Sequence, residues 1–257
     1  MINEEVISLV KEAKRIFVFS GAGMSTEGED GTPGIPDFRS KNGLYNNTPE
    51  DILSHHFFFR QPDLFYEFFF ESLYHPHVKP NKGHRILAEW EKKGKDIQII
   101  TQNIDGLHSE AGSTSVIEFH GTIKTAKCYN PKCSKKYTVE ELALRRQEKA
   151  NFYICDCESI DVKPYIKPDV VLFDEAGEWL NPDGVSRIRN QIWTADLLVV
   201  LGSSLKVFPF RSFIDYKPAH IPLVIINNER ISQEHLPNTY AIHRNISTTL
   251  SELNQYL

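Results

Sequence analysis

The chain has 257 residues, 40% of them hydrophobic and 25% charged, with a formal net charge of -5. That length allows one large domain carrying inserts and a sizeable core; the mildly acidic balance argues against a nucleic-acid surface, which needs a basic face. No apolar run approaches the ~18 residues of a membrane span, and the first stretch, MINEEVISLVKEAKR, is too charged for a secretory signal, so a cytoplasmic protein that works away from membranes is expected.

Val6, Leu9, Val10 and Ala13 recur at helical spacing and predict a helix over 4–14. IFVFS (16–20) is a short, continuously apolar run, as expected of a strand buried on both faces. The aromatic segment 63–74 is long enough for a helix, and HRILAEWEKKG (84–94) predicts another, closed by Gly94. IQIIT (97–101), VIEF (116–119), DVVLF (169–173), ADLLVVLG (195–202) and PLVIIN (222–227) read as further strands. A helix is expected over 182–194, and a last one in ISTTLSELNQYL, capped near Ser247 or Thr248. Buried strands alternating with helices predict an α/β, doubly wound parallel sheet. The alternation breaks at about 36–79 and 124–165. Those stretches predict a smaller domain inserted into a large one built from 1–35, 80–123 and 166–257.

In such a sheet, ligands bind at the carboxyl ends of the strands. Several of those ends carry polar or glycine-rich sequence. Gly21-Ala22-Gly23 follows the first strand and lets backbone approach a phosphate, with a helix N-terminus expected beyond it. The full dinucleotide pattern is not met, because Thr26 stands at its last position. The loop runs on to GIPDFRS, where Pro36 fixes a turn before Asp37, Phe38 and Arg39. An aromatic and an arginine on a glycine-rich loop suit a cover over a ligand, with Arg39 meeting a phosphate or ribose; the plainer reading is an exposed ion pair beside a stray Phe. Gln102, Asn103 and Asp105 follow the second strand, where amides and a carboxylate can orient hydroxyls and a carboxamide. Gly202, Ser203 and Ser204 end another strand; Asn227 and Glu229 end the next. His120 lies just past VIEF. A lone histidine is more often structural, but this one borders the same crevice and is the best general-base candidate. Cys128, Cys133, Cys155 and Cys157 are the chain's only cysteines. Clustered in this way in a reducing compartment, they point to a metal rather than disulfides.

GAGMS (21–25), GIPDFR (34–39), TQNID (101–105), FHG (119–121), the four cysteines, KPDVVLF (167–173), GSSLKVFP (202–209) and INNE (226–229) occur in the order found in sirtuins, and the chain resembles that family over nearly its whole length. The resemblance implies a Rossmann-like domain and a smaller domain of helices plus a zinc ribbon, with NAD and an acyl-lysine peptide meeting between them. It implies NAD-dependent protein-lysine deacylation. The acyl oxygen attacks the nicotinamide ribose and expels nicotinamide. His120 then acts as general base for the 2'-hydroxyl, through its neighbour, and the acyl group leaves as 2'-O-acyl-ADP-ribose. Gly21, Ala22, Gly23, Ser25, Thr26 and Arg39 are implied as NAD contacts, with Asp37 beside them and Phe38 shielding the reacting ribose. Asn103 would hold the ribose and a water. Asp105 and the Ile104 backbone would grip the carboxamide. Gln102, Gly202, Ser203, Ser204, Asn227, Glu229 and, on the adenine side, Ile242 complete the NAD set. The peptide is expected as an added strand between Val170, Val171, Leu172 and Phe173 and the loop at Lys206, Val207 and Phe208. One structural zinc is expected on the four cysteines, and a monomer is expected in solution. An ADP-ribosyltransferase or NAD hydrolase on the same scaffold, and a non-enzymatic NAD-sensing or zinc-mediated interaction module, are the competing readings.

The sequence departs from the family in several places. GEDGTP (28–33) lengthens the first loop, with Gly28, Gly31 and Gly34 expected to add mobility and, as a consequence, weaker NAD binding. Its neighbouring acids Glu27, Glu29 and Asp30 are expected to point away from the pyrophosphate. Cys155 and Cys157 are separated by one residue where the family has two or more. Asp174 stands where glycine is frequent. FYEFFFESLY (65–74) lacks the arginine that meets an acidic acyl group, and Glu67 and Glu71 would repel one, so acetyl or another apolar acyl group is favoured. Phe68-Phe69-Phe70 reads as small-domain core or, alternatively, as an acyl channel.

Overall fold

A computed structural model describes residues 2–36, 48–158 and 162–257. In chain order its main elements are α1 (Glu4–Glu12), β1 (Arg15–Ser20), α2 (Pro49–Ile52), α3 (His55–Arg60), α4 (Pro62–Phe68), α5 (Lys82–Lys92), β2 (Asp96–Thr101), α6 (Leu107–Glu110), β3 (Val116–Glu118), β4 (Gly121–Cys128), β5 (Lys136–Thr138), α7 (Val139–Glu148), β6 (Ile166–Val170), α8 (Pro182–Trp193), β7 (Leu197–Leu201), β8 (Leu223–Ile226), β9 (Thr239–Ile242) and α9 (Ile246–Asn254).

Six strands form one parallel sheet in the order β3-β2-β1-β7-β8-β9. The strand order reverses direction at β1, so the crevice between the β1 and β7 ends and the β2 end is the switch point where this class of sheet binds ligands. Side-chain alternation explains why the strands are apolar throughout. Ile16 and Val18, with Leu197, Val199 and Leu201, face α1, α5 and α9; Phe17 and Phe19, with Leu198 and Val200, face α8 and the 3-10 segment Phe210–Tyr216.

Three further strands form a second sheet, β5-β4-β6, antiparallel throughout. The segment expected as a large-sheet strand over 169–173 instead ends at Val170 and pairs with β4. Its apolar run is the same on either sheet, so composition could not tell them apart. The small sheet packs with α2, α3, α4 and α7 around Phe58, Phe65, Tyr66, Phe69, Ile123, Leu142 and Ile166. Phe68 and Phe69 are core residues here, while Phe70 is half-buried with the Arg146 guanidinium 5.0 Å from its ring centre. The helix expected over 63–74 is α4, continued by a π turn at Phe69–Leu73.

Helix starts follow side-chain capping. Asn181 accepts from the Gly184 N–H at 2.7 Å with Pro182 in the first turn. The closing helix is capped by Asn245, which accepts from the Thr248 N–H at 2.9 Å, with Ser247 and Thr248 beside it in the first turn. Among the described residues, no helix is long and apolar enough to cross a membrane.

Behind the sheet, His84 of α5 and His108 of α6 meet edge to face with ring centres 4.7 Å apart, both buried. His108 Nε2 lies 2.8 Å from the Ser20 hydroxyl. Burial holds the His108 pKa down to about 4 and, with the neighbouring His108 and Arg85, holds His84 well below its ordinary 6.5. Both rings are therefore neutral in the folded protein, while the unfolded chain takes up a proton at each below 6.5. Stability is complete above that pH and falls as the pH drops from 6.5 towards 4. A shift the size of His108's corresponds to about 3 kcal/mol. Denaturant unfolding between pH 7.5 and 4.5 is expected to show this slope, and His108→Asn, even if less stable overall, is expected to flatten it.

Candidate active site

The site starts from two backbone turns. Gly21 N–H donates to the Leu201 carbonyl at 3.0 Å and Gly23 N–H to the Gly202 carbonyl at 2.8 Å, so the loops leaving β1 and β7 are stitched together. Gly202 sits at φ +59, and a Cβ there would lie 2.4 Å from the Met24 nitrogen. Beyond Gly21 the chain makes only a single 3-10 turn, Ala22–Met24, in place of the expected helix. Loop backbone, not a helix terminus, faces the crevice.

Under this turn lies a hydrogen-bonded set. Asn103 Nδ2 donates to the Gly21 carbonyl at 3.1 Å and to the Ser25 hydroxyl at 3.0 Å. Ser25 in turn donates to Asp105 Oδ2 at 2.7 Å, and the Leu107 N–H donates to Asp105 Oδ1 at 2.9 Å. Asp105 is buried, and burial raises its pKa against the opposing pull of the Leu107 and Ser25 bonds. On the other side, Ser203 donates to Gln102 Oε1 at 2.9 Å. Two residues missed in the sequence complete the frame. Thr101 Oγ1 accepts from the Asn103 N–H at 3.0 Å. Asn81, the cap of α5, donates to the Met24 and Glu27 carbonyls at 2.7 and 2.8 Å. Its sequence signal, an Asn before a helix, marks only a cap.

His120 lies past β3, half-buried, with Phe119 and Phe210 rings 5.1 and 6.5 Å away. Its Nδ1 is 3.1 Å from the Gln102 carbonyl. A carbonyl only accepts, so Nδ1 carries the proton and Nε2 is left as a free lone pair, with no partner among the described residues. Burial lowers the His120 pKa from 6.5, opposed by the Gln102 bond, so the ring is a neutral base at physiological pH. Gly121, at φ +76, turns the chain sharply after it, where any Cβ would lie 2.0 Å from the Asp169 carbonyl.

The four cysteine sulfurs lie within 4.8 Å of one another, with Cys128 and Cys157 at 3.6 Å and Cys133 and Cys155 at 3.9 Å. A zinc ion ~2.3 Å from four tetrahedral sulfurs spaces them ~3.8 Å apart. The donors therefore fit zinc, including the Cys155-Asp156-Cys157 pair with its single intervening residue. Tyr137 donates to Cys155 Sγ at 3.0 Å and Asn130 Nδ2 to Cys157 Sγ at 3.7 Å. Donors of this kind steady thiolates. Four protein sulfurs leave no open position, so such a metal is structural.

A sequence model of the Sir2 family matches residues 21–209. The chain belongs to the Sir2 family. An NAD-dependent protein deacetylase of Listeria monocytogenes is 40% identical over 87% of this chain and 89% of its own length. One of Bacillus cereus is 41% identical over 90% and 89%. A solved complex of Sir2 with a p53 peptide and NAD+ superposes with a TM-score of 0.80 at 31% identity, covering 99% of this chain and 98% of that one.

Within this Sir2 family chain, the expected contact residues separate into groups. Gly21, Ala22, Gly23, Ser25 and Thr26, with Gln102, Asn103 and Asp105, His120, and Gly202 and Ser203, follow the ends of the neighbouring strands β1, β2, β3 and β7. Ser204 follows, half-buried. Ile104 is half-buried and packs against the small-sheet core, its carbonyl accepting from the Ile123 N–H at 2.9 Å. Asn227, Glu229 and Ile242 lie at the ends of β8 and β9, further along the sheet; Asn227 is tied up locally with the Glu229 carbonyl at 2.8 Å. Asp37, Phe38 and Arg39 lie outside the described residues.

The long first loop is not slack. Glu27 and Pro33 pair across a tight hairpin, closed by Gly28 N–H to the Thr32 carbonyl at 2.7 Å. Glu29 pairs with Arg85 of α5, and Glu27 accepts from Asn245 Nδ2 at 3.0 Å. Both acids thus point towards α5 and α9, as expected, whereas the expected mobility is replaced by a pinned turn.

At the expected peptide segment, most inner N–H groups are taken. Val171 donates to the His120 carbonyl at 2.8 Å, and Phe173 to Leu53 at 2.9 Å. Among the described residues, the Val171 carbonyl and the Asp174 backbone have no partner. Asp174, at φ +71, occupies the backbone region that favours glycine. Phe173 and Phe208 are exposed, at 45% and 65%.

Metal analysis of purified protein is expected to give one zinc per chain. Stripping it with a strong chelator is expected to lower the melting midpoint by roughly 10 °C, the shift a loss of about 3 kcal/mol gives a chain of this size; Cys155→Ser is expected to lose the metal outright.

Proposed function

We propose that this protein is an NAD-dependent protein-lysine deacetylase. It consumes NAD, an acetyl-lysine peptide and one water, and releases nicotinamide, free lysine and 2'-O-acetyl-ADP-ribose. The observation that carries this reading is the state of His120: Nδ1 is committed to the Gln102 carbonyl, Nε2 is free, and burial keeps the ring neutral. A base in that condition suits removal of a proton from a ribose hydroxyl or its neighbour. An ADP-ribosyltransferase or NAD hydrolase has less need of it, because water or a side chain takes the ribose directly. A purely NAD-sensing or interaction module has none.

The other residues bind and orient. The glycine turns at 21–23 and 202 admit phosphates to the backbone, and Asn103 holds the ribose and a water. Asp105, fixed by Ser25 and Leu107, takes the carboxamide with the Ile104 backbone. Asn227, Glu229 and Ile242 serve the adenosine half. The peptide lies extended between Val170–Phe173 and Lys206–Phe208; the unpaired Val171 carbonyl and Asp174 backbone supply its hydrogen bonds, which read backbone and so admit many sequences. The acyl range extends to other apolar groups, since the small-domain helix carries Glu67 and Glu71 and no arginine.

The cleft lies between a large domain near 1–35, 80–123 and 166–257 and a small one near 36–79 and 124–165; the pairing of β6 supports moving the second junction to about 170. The protein acts as a monomer in the cytoplasm, a reducing setting that suits four clustered thiols held as metal ligands.

Acetyl-lysine peptide and NAD, followed by peptide mass and nicotinamide release together, test this. Loss of one acetyl group per nicotinamide is expected, with His120→Ala reduced by about 10²–10⁴. Nicotinamide without any change in peptide mass would instead favour hydrolase or transferase chemistry. The rate is expected to fall on the acid side, with an apparent pKa below 6.5, as His120 takes up its proton. Because the 28–33 hairpin is anchored away from the glycine turns, shortening it to join Glu27 to Gly34 is expected to leave the NAD dissociation constant within about twofold, read by calorimetry.

A further inference from the structure

One buried ion pair lies outside the NAD crevice. Lys167, on β6, has a side chain only 10% exposed, and Glu175 one 19% exposed; Lys167 Nζ is 3.0 Å from Glu175 Oε2. The ammonium's three donors are all used, the other two on the Val170 and Pro168 carbonyls at 2.8 and 3.3 Å. Glu175 Oε2 also accepts from the Leu172 N–H at 2.9 Å, and the Glu175 N–H returns to the Leu172 carbonyl at 3.1 Å. The pair thus grips both ends of the turn 170–175 from inside. That turn leaves the Val171 carbonyl and the Asp174 backbone facing outward, and through the Val171 N–H it is tied to the carbonyl of His120.

Two charges out of water are costly, and a well-packed apolar pair of similar volume often serves stability equally well. Stability alone is therefore a poor reason for this pair. What it supplies is placement: a charged acceptor for Leu172 and a charged donor for Val170, which together set the path of the backbone between them.

We propose that the Lys167–Glu175 pair is a positioning device for the substrate peptide, holding the Val171–Asp174 edge in the geometry an extended acyl-lysine peptide pairs with, and in register with His120. This deepens the deacetylase reading and rests on it. Neither residue is expected to touch the substrate; both act through the turn.

Glu175→Gln, Lys167→Met and the double variant, each in the full chain, test it through peptide KM, kcat, NAD dissociation constant and melting midpoint. Each single change is expected to lower the midpoint and to raise the peptide KM about tenfold, with NAD affinity within about twofold of the parent. The double variant removes both charges and is expected to recover much of the midpoint while its peptide KM stays high. Recovery of KM together with the midpoint would make the pair a stability element and overturn the proposal. Equal changes in peptide KM and NAD affinity would overturn it too, as would a peptide KM unchanged in all three. Should the parent protein neither bind nor deacetylate the peptide while still cleaving NAD, the deacetylase reading itself fails and the positioning role falls with it.

Discussion

The structure hangs on the contact between two glycine turns. β1 and β7 are neighbours in the sheet, and the loops that leave them are joined by backbone hydrogen bonds. Gly202 comes so close that an added Cβ would meet the Met24 nitrogen at 2.4 Å, and one on Gly21 would meet Ser203 Cβ at 2.7 Å. No side chain fits between them. The consequence reaches every group in the crevice. With the turns locked, the Gly21 carbonyl faces Asn103, Ser25 drops onto Asp105, and Ser203 reaches Gln102. The carbonyl of that same Gln102 holds His120. A wedge at Gly202 would displace His120 as well as the turn at Gly21–Gly23, through the chain of hydrogen bonds that links them.

Why these groups sit where they do follows from the strands. Each central strand is apolar on both faces because both are covered by helices. Polar side chains are excluded until the strand ends, and the parallel arrangement brings those ends to one edge. β1, β2, β3, β7 and β8 are therefore followed by glycine, amide, hydroxyl or imidazole groups on the same rim, from Gly21 to Asn227. The fold concentrates polar chemistry there without requiring any one strand to be unusual.

Most of this is legible in the sequence. Continuous apolar runs and helical spacing gave five strands of the large sheet and α1, α5, α8 and α9 to within a few residues. Glycines and amides at strand ends mark the rim at the switch point, and the clustering of the cysteines marks the four-sulfur set. The failures have physical reasons. DVVLF reads as a buried strand on whichever sheet it joins; only the pairing of β6 with β4 decides. Thr239–Ile242 is short and only partly buried, and so carried no strand signal. α7 lies behind a capping box at Thr138 and Glu141, in the 124–165 stretch expected as a zinc ribbon. The inserted hairpin was read from its glycines as loose, but its order comes from contacts distant in sequence, Arg85 and Asn245. Those partners are charge and cap residues on other elements, invisible to local pattern.

Two buried charged side chains border the proposed cleft, Asp105 on the sheet side and Lys167 on the small-sheet side. Burial opposes ionisation at both: it raises the pKa of Asp105 and lowers that of Lys167, against which Glu175 pulls back up. A fold selected for stability alone has little use for either. Each is nevertheless held before any ligand arrives, Asp105 by a hydroxyl and an amide, Lys167 by two carbonyls and a carboxylate. Groups held in this way do not have to reorganise when substrate binds, and dipoles or charges that need no reorganisation act most strongly in a water-poor cleft. The desolvation cost is thus met during folding, once, rather than at each turnover. Placement of the reacting partners then depends on backbone that these charges have already fixed.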